Sequence, residues 1–259
     1  MNDLSPLNFR LTSIKTFRDV LLFGLGRSVI VIGCDSAGGI GSKPLDKIKV
    51  GGEILGKFTA RVALMEVLAV GAKPLCLSVT LSVEPEPSGE ETLKGVKEEA
   101  KFAGLASDQA LIVSSEKNVP VEQTGIGITA VGIALKDSLR IGKSRKGDLL
   151  VSVGLPRVGE EVLVGEARNE IANLQDLKNL LCLPFVHEAI PVGSKGILHE
   201  ANVIAKSSNL ALALLSDSPV DIKKSAGPAT VILLTVPKAH LNELKKLIKK
   251  PIHLIGWLR

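Results

Sequence analysis

Apolar and polar positions along this chain change period repeatedly. From residue 50 to residue 70, Ile54, Phe58, Val62, Met65 and Ala69 recur at three- and four-residue steps, the period of one helix face. Gly71 is placed to end that helix, with Pro74 just beyond. Ser88, followed three residues on by Glu91, has the form of a capping box and predicts a second helix to about residue 104. Helices are also predicted over 156–165, 174–181, 197–206 and 239–249. Short apolar runs at 19–23 and 28–33 flank Gly24-Leu25-Gly26-Arg27 and predict a β-hairpin with a glycine-rich turn. Further strands are expected at 75–83, 111–114, 125–135, 149–153, 210–215, 230–236 and 252–257, after a loose polar arm over 1–13. Strands alternating with helices argue an α/β or α+β fold, not a bundle or a sandwich. A charged, glycine-containing break at 143–148 divides the chain into expected domains 1–142 and 143–259.

Composition narrows this picture. Hydrophobic residues make up 45% of the 259 positions, but aromatics only 3%, with no Tyr and a single Trp257. The core must then be built from Val, Ile, Leu and Ala, which suits buried sheets covered by helices. The net charge of +5 is mild and spread along the chain. Its densest cluster, Lys245, Lys246, Lys249 and Lys250, reads as the wet face of an amphipathic helix whose stripe is Leu241, Leu244, Leu247 and Ile248. With so few aromatics to stack bases, no nucleic-acid partner is expected. Cys34, Cys76 and Cys182 show no metal-type spacing, and their apolar neighbourhoods predict buried free thiols in a reducing cytoplasm. No signal pattern is seen and no apolar run is long enough to cross a bilayer, so no membrane partner is expected.

The strongest local signal is residues 35–44, Asp-Ser-Ala-Gly-Gly-Ile-Gly-Ser-Lys-Pro, directly after an apolar strand. Gly38, Gly39 and Gly41 let a backbone approach a polyphosphate and turn its N–H groups inward. Lys43 can neutralise phosphate charge, Ser42 can donate a hydrogen bond, and Asp35 at the strand end can hold a hard cation. The spacing is neither that of the P-loop nor that of the dinucleotide fingerprint, and an ordinary glycine-rich turn would look the same. Glu66 interrupts an apolar helical segment, so it points off the packed face or meets a partner, either Mg²⁺ or else Arg61 or a lysine. Glu116 follows a strand and by itself is a solvated loop acid; together the three acids could bind Mg²⁺ bridged by phosphates. Gln123-Thr124-Gly125-Ile126-Gly127 opens a strand, either as packing glycines or as a second approach of backbone to ligand, with Thr124 and Gly125 in contact. Gly193-Ser194-Lys195-Gly196 precedes a helix and offers either N–H groups and a lysine to an anion or a simple cap. The four histidines show no ligand spacing, and no Ser-His-Asp arrangement is present.

Four segments together resemble the superfamily of aminoimidazole ribonucleotide synthetase, selenophosphate synthetase, the hydrogenase-maturation dehydratase and thiamin-monophosphate kinase. They are CDSAGGIGSKP (34–44), RVALMEVLAVGAKPL (61–75), SSEKNVPVEQTGIGITAVG (114–132) and SAGPATVILLTVP (225–237). Within it the chain is most similar to the α-ribazole kinase branch of cobamide salvage. The resemblance implies a two-domain fold whose N-terminal, ATP-binding domain pairs across a two-fold axis into a β-barrel, and hence a homodimer. It implies ATP and Mg²⁺ as cofactors and phosphorylation of the α-ribazole 5′-hydroxyl. It also implies Asp35, Glu66 and Glu116 as metal ligands, phosphate contacts from Gly38, Gly39, Gly41 and Lys43, and an acceptor side shaped by residues 193–196, with Asp35 and Lys43 acting in the transfer. The alternatives are another ATP-using member, such as a thiamin-monophosphate kinase or selenophosphate synthetase, or a nucleotide-binding protein without turnover. Three departures from the family pattern stand out: Glu66 where many relatives have Asp, Ser114-Ser115-Glu116-Lys117 in the third segment, and no acidic-Ser-Asp-Gly motif in the second half. The last of these disfavours the synthetase and thiamin-kinase alternatives and leaves the catalytic base unassigned.

Overall fold

The structure, a computed structural model, describes residues 11–259. Most of the arm expected over 1–13 therefore lies outside the described residues, and its last three positions open the first strand. The first half runs β1 (Leu11–Phe17), β2 (Val20–Leu25), β3 (Ser28–Gly38), β4 (Ile40–Gly41), β5 (Ile48–Lys49), α1 (Gly52–Ala69), β6 (Lys73–Leu81), α2 (Glu90–Phe102), β7 (Leu111–Ser115) and β8 (Gly125–Leu135). Six of these strands form one sheet in the order β1-β2-β3-β8-β6-β7, and β4 and β5 form a small parallel pair. The expected hairpin is present, with Leu25 opposite Ser28 across a Gly26-Arg27 turn.

Alternation along β3 and β8 sends Val29, Val31, Ile126 and Ile128 onto the same buried face, where α1 packs. α2 crosses α1 closely because each contributes a glycine at the crossing. A side chain at Gly56 would run into the Thr92 carbonyl, and one at Gly95 into the Glu53 carbonyl. The opposite face of the sheet is uncovered within one chain and carries Ile14, Leu75 and Ile112, at 55%, 45% and 70% exposure. The sheet is open, with β1 and β7 at its edges, so a single chain forms no closed barrel.

The second half contains β9 (Leu149–Val153), α3 (Glu161–Ala167), α4 (Leu174–Leu181), β10 (Glu188–Val192), α5 (Gly196–Ser207), β11 (Leu212–Leu214), β12 (Val231–Val236), α6 (Leu241–Leu247) and β13 (Ile252–Leu258). Its sheet has the order β10-β12-β9-β13-β11 and is antiparallel throughout. Every residue of β9, β10 and β12 is buried, the polar Ser152, Glu188 and Thr235 included. One face of this sheet packs with α5, through Ile197, Ala201 and Ile204. The other shares a core with α1 and α4. Arg61 joins the halves from within: its guanidinium is 2% exposed and pairs with Glu99 of α2 at 2.7 Å and Glu166 of α3 at 3.3 Å.

Several expectations need correction. Ser88 caps nothing: its hydroxyl donates to Glu84 at 2.6 Å, because residues 85–89 form a wide turn ahead of α2, whose N-cap is Gly89. Cys34 and Cys182 are exposed and Cys76 is half-buried, since strand alternation puts Cys34 on the open face and Cys182 caps the end of α4. Lys250 is buried, not on a wet face; its ammonium binds Asn169 and lies 3.7 Å from Asp176. The helix expected over 156–165 starts only at Glu161, and the one over 239–249 is a 3-10 turn followed by the two turns of α6.

Candidate functional site

β3 runs on past the apolar run at 28–33 to Gly38, so Asp35 stands inside the strand, opposite Ile128, and not at its end. Alternation puts Asp35 on the same face as Gly33, and α1 packs closely on Gly33. A Cβ at Gly33 would stand 3.2 Å from the Cβ of Glu66. The two acids therefore share one neighbourhood beneath the sheet. Glu66 is buried and its Oε2 has no hydrogen-bond partner. Burial pushes its carboxyl up to about 7; the Arg18 guanidinium opposes this, while Asp19, Glu200 and Asp35 add to it. Burial likewise lifts Asp35 to about 6, against a hydrogen bond from the Ser36 backbone.

Past Asp35 the chain forms a glycine-rich loop held by an acid that sequence reasoning missed. Asp46 is buried and accepts hydrogen bonds from the Lys43 N–H at 2.8 Å, the Thr124 N–H at 2.8 Å and the Thr124 hydroxyl at 2.6 Å. Although burial pushes the other way, these bonds hold the Asp46 carboxyl below the usual range. Gly41, at φ +149°, fits here because a Cβ would meet Thr124 Oγ1 at 2.5 Å and Asp46 Oδ2 at 2.7 Å. Gly39 donates its N–H to Thr124 and accepts from Lys47. The loop is thus bonded shut on itself and on the start of β8. Gly38 faces open space. Ser42 is exposed. Lys43 does not point free: its ammonium pairs with Glu84 at 2.5 Å.

Asp35, Ser36 and Gly38 line a cleft of about 410 Å³. Ile54 and Phe58 of α1 form its near wall, and Val158 and Val162 from the second half form its far wall. Gly227 and Pro228 line it too, and the loop before α5 touches them, with the Ser194 nitrogen 3.9 Å from where a Gly227 Cβ would be. In that loop Gly193 accepts from the Gly196 and Ala226 N–H groups, while Ser194 and Lys195 are exposed. Gly125, at the start of β8, packs beside Ser82 on the way to the loop.

Glu116 stands apart. It follows β7, and β8 and β6 separate β7 from β3, a span of roughly 14 Å at ordinary strand spacing. Its carboxylate accepts from the Asn118 N–H at 2.7 Å and the Val119 N–H at 3.1 Å, and these bonds lower its pKa. Among the described residues, no three His, Cys, Asp or Glu side chains group closely enough to hold one metal ion. A hard cation would suit the orphaned Oε2 of Glu66 and the desolvated Asp35, with the Arg18 guanidinium already a positive neighbour of Glu66. Glu200 was also missed. It is buried on α5 and burial lifts it to about 7, with Arg18 opposing. Its position between Ile197 and Ile204 on the apolar face was a readable signal.

A glycine-rich loop beside a desolvated acid thus lies at the seam of two sheet-centred halves. Residues 25–134 match the family model for "AIR synthase related protein, N-terminal domain". That stretch of the chain is therefore similar to the N-terminal domain of this family. Solved structures agree at the level of fold. The thiamine-monophosphate kinase of Stenotrophomonas maltophilia K279a is 19% identical, with TM-score 0.62 over 95% of this chain and 89% of that one. AaThiL complexed with AMPPCP and TMP is 16% identical, with TM-score 0.63 over 93% and 84%. The hydrogenase maturation protein HypE in complex with ATP is 18% identical, with TM-score 0.61 over 88% and 76%. No curated protein sequence matches the chain. Among the described residues, no helix is long and apolar enough to cross a membrane.

Proposed function

We propose that the chain is an ATP-dependent phosphotransferase acting on the hydroxyl of a small nucleoside-like acceptor, with α-ribazole the best candidate and α-ribazole 5′-phosphate the product. One observation carries this reading: the glycine-rich loop and Asp35 open onto a cleft whose far wall comes from the second half of the chain. Fold relatives that hold AMPPCP or ATP support a nucleotide in the same fold. The domains run 1–142 and 143–259, and the nucleotide phosphates lie over residues 38–43.

In this reading the loop offers backbone N–H groups to the phosphates from a frame that Asp46 and Thr124 keep rigid, so little reorganisation is needed. Mg²⁺, when bound, is held by Asp35 and Glu66 and neutralises phosphate charge. Lys43 reaches a phosphate by leaving Glu84, a partly exposed pairing that exchanges readily. Residues 193–196 border the acceptor. Phosphoryl transfer asks mainly for positioning and charge neutralisation, so no dedicated nucleophile is required. The uncovered apolar face of the first sheet supports pairing of two chains there into a barrel.

The test is purified protein with ATP, Mg²⁺ and α-ribazole, following the acceptor monophosphate by mass. Product formation supports the reading; folded protein that makes none argues against it. A second reading, nucleotide binding without turnover, draws support from the engagement of Lys43 by Glu84 and the distance of Glu116. It predicts stabilisation by nucleotide with no product from any acceptor.

A further inference from the structure

We infer that a second concavity, between the β1 edge of the first sheet and the chain joining the two halves, binds a small phosphate ester of an apolar group. This site is separate from the glycine-rich loop and independent of the phosphotransferase reading.

Strand register builds one wall. Lys15 of β1 stands opposite Leu22 of β2, and Ser13 opposite Gly24, which in turn faces Val29 of β3, so these positions share one side of the sheet. Leu139, Ile141 and Lys143, from the chain between the halves, and Ser207 of α5 form the other wall, enclosing about 570 Å³. Both walls are held in place without a ligand. The Lys136 N–H donates to the Arg27 carbonyl at 3.0 Å. The buried Glu188 accepts from the Gly142 N–H at 2.8 Å, the Ser144 N–H at 3.0 Å and the Ser208 hydroxyl at 3.1 Å, which fixes the joining chain against the end of α5. Along β3, Val29 lies roughly 20 Å from Asp35 at ordinary strand rise, so the concavity is not part of the cleft at the glycine-rich loop.

The lining selects the ligand. Lys15, Lys136 and Lys143 line the concavity, and among the described residues no Asp or Glu does. Lys15 and Lys143 are exposed and pair with no carboxylate among the described residues. Ammonium groups act as compact point charges that suit phosphate, and several of them together favour the dianion of a phosphate ester over a single carboxylate. Below them Phe17, Leu22, Leu139 and Ile141 are only half-buried, which leaves apolar surface at the floor for an apolar body to cover. Exposed ion pairs are weak one by one, so neither the anion nor the apolar body holds the ligand by itself.

The experiment is calorimetry on the full chain with naphthyl phosphate, naphthol and inorganic phosphate as probes. Naphthyl phosphate should bind at least ~10-fold tighter than either of the others, and more weakly as salt rises from about 0.05 to 0.5 M, because the lysines are open to screening. The double variant Lys15→Glu/Lys143→Glu should weaken it at least ~10-fold, with a melting temperature close to wild type since both positions are exposed. Val158→Asn, in the cleft beside Asp35, should leave its affinity unchanged. No binding of naphthyl phosphate to the wild type, or an affinity kept in the lysine variant, overturns the inference. Naphthol or inorganic phosphate binding as tightly also overturns it, since one of the two parts would then be idle. Weakening by Val158→Asn with none from the lysine variant would put the ester in the cleft at Asp35 and equally overturn it.

Discussion

Asp46 holds Thr124 by two hydrogen bonds across 78 positions of sequence, Oδ1 to the backbone N–H at 2.8 Å and Oδ2 to the hydroxyl at 2.6 Å. This pair fixes the glycine-rich loop to the first residue ahead of β8. Asp46→Ala leaves the N–H groups of Lys43 and Thr124 without their acceptor in a buried site, a loss of about 1–3 kcal/mol. The expected outcome is a lower urea midpoint with an unchanged slope, together with weaker AMPPCP binding. Unchanged stability and affinity would mean the loop keeps its shape without the clamp.

Gly41→Ala tests the same loop from the backbone side. The added methyl collides with Thr124 Oγ1 and Asp46 Oδ2, at a φ of +149° that side-chain-bearing residues rarely adopt. Nucleotide affinity should fall at least ~10-fold, with a stability loss of about 1–3 kcal/mol. Thermal denaturation and calorimetry on one preparation measure both.

Arg61 ties α1 to α2 and α3 from a buried position. Arg61→Met strands Glu99, whose Oε2 already lacks a partner, and should cost about 3–5 kcal/mol. Adding Glu99→Leu removes the stranded acid and should recover most of that loss. Chemical denaturation of the single and double variants gives the comparison; a double variant as unstable as the single one contradicts it.

Glu84 provides a pH signature. Burial pushes its carboxyl up, but hydrogen bonds from Lys43 and Ser88 outweigh that and hold it down at about 2. A folded-state value below the unfolded one stabilises the protein above the unfolded carboxylate range, near ~4.3, and the benefit is lost as pH falls toward 2. The melting-temperature gap between wild type and Glu84→Gln should be constant from about pH 8 to 5 and shrink below that. The pair is partly exposed, so the gap corresponds to less than ~1 kcal/mol. A gap that widens on acidification would contradict the sign.

The long elements were legible because one period dominated each. The β8 and β9 expectations coincide with the strands found, and α4 likewise, because apolar runs and clean heptad-like spacing met clear breakers there. The loop acids were not legible. Asp46 and Glu84 look like solvated surface in sequence, and their roles arise only when residues 78 and 41 positions away fold against them. Position along β3 failed for a related reason. Its last residues, Asp-Ser-Ala-Gly, carry no apolar alternation, and what extends the strand is pairing with β8. The distance of Glu116 from Asp35 depends on strand order, which no local pattern encodes.

The most direct measurement is the thermal shift produced by AMPPCP with and without Mg²⁺, on wild type and on Asp35→Asn. At a ligand concentration near 100 times Kd, binding adds about 2.7 kcal/mol, several degrees for a chain of this length. Wild type should rise by that amount only with Mg²⁺ present, and Asp35→Asn should lose the Mg²⁺-dependent part while unfolding as cooperatively as before. An equal, Mg²⁺-independent rise in both proteins, or none in either, would contradict a metal-bound nucleotide held at Asp35.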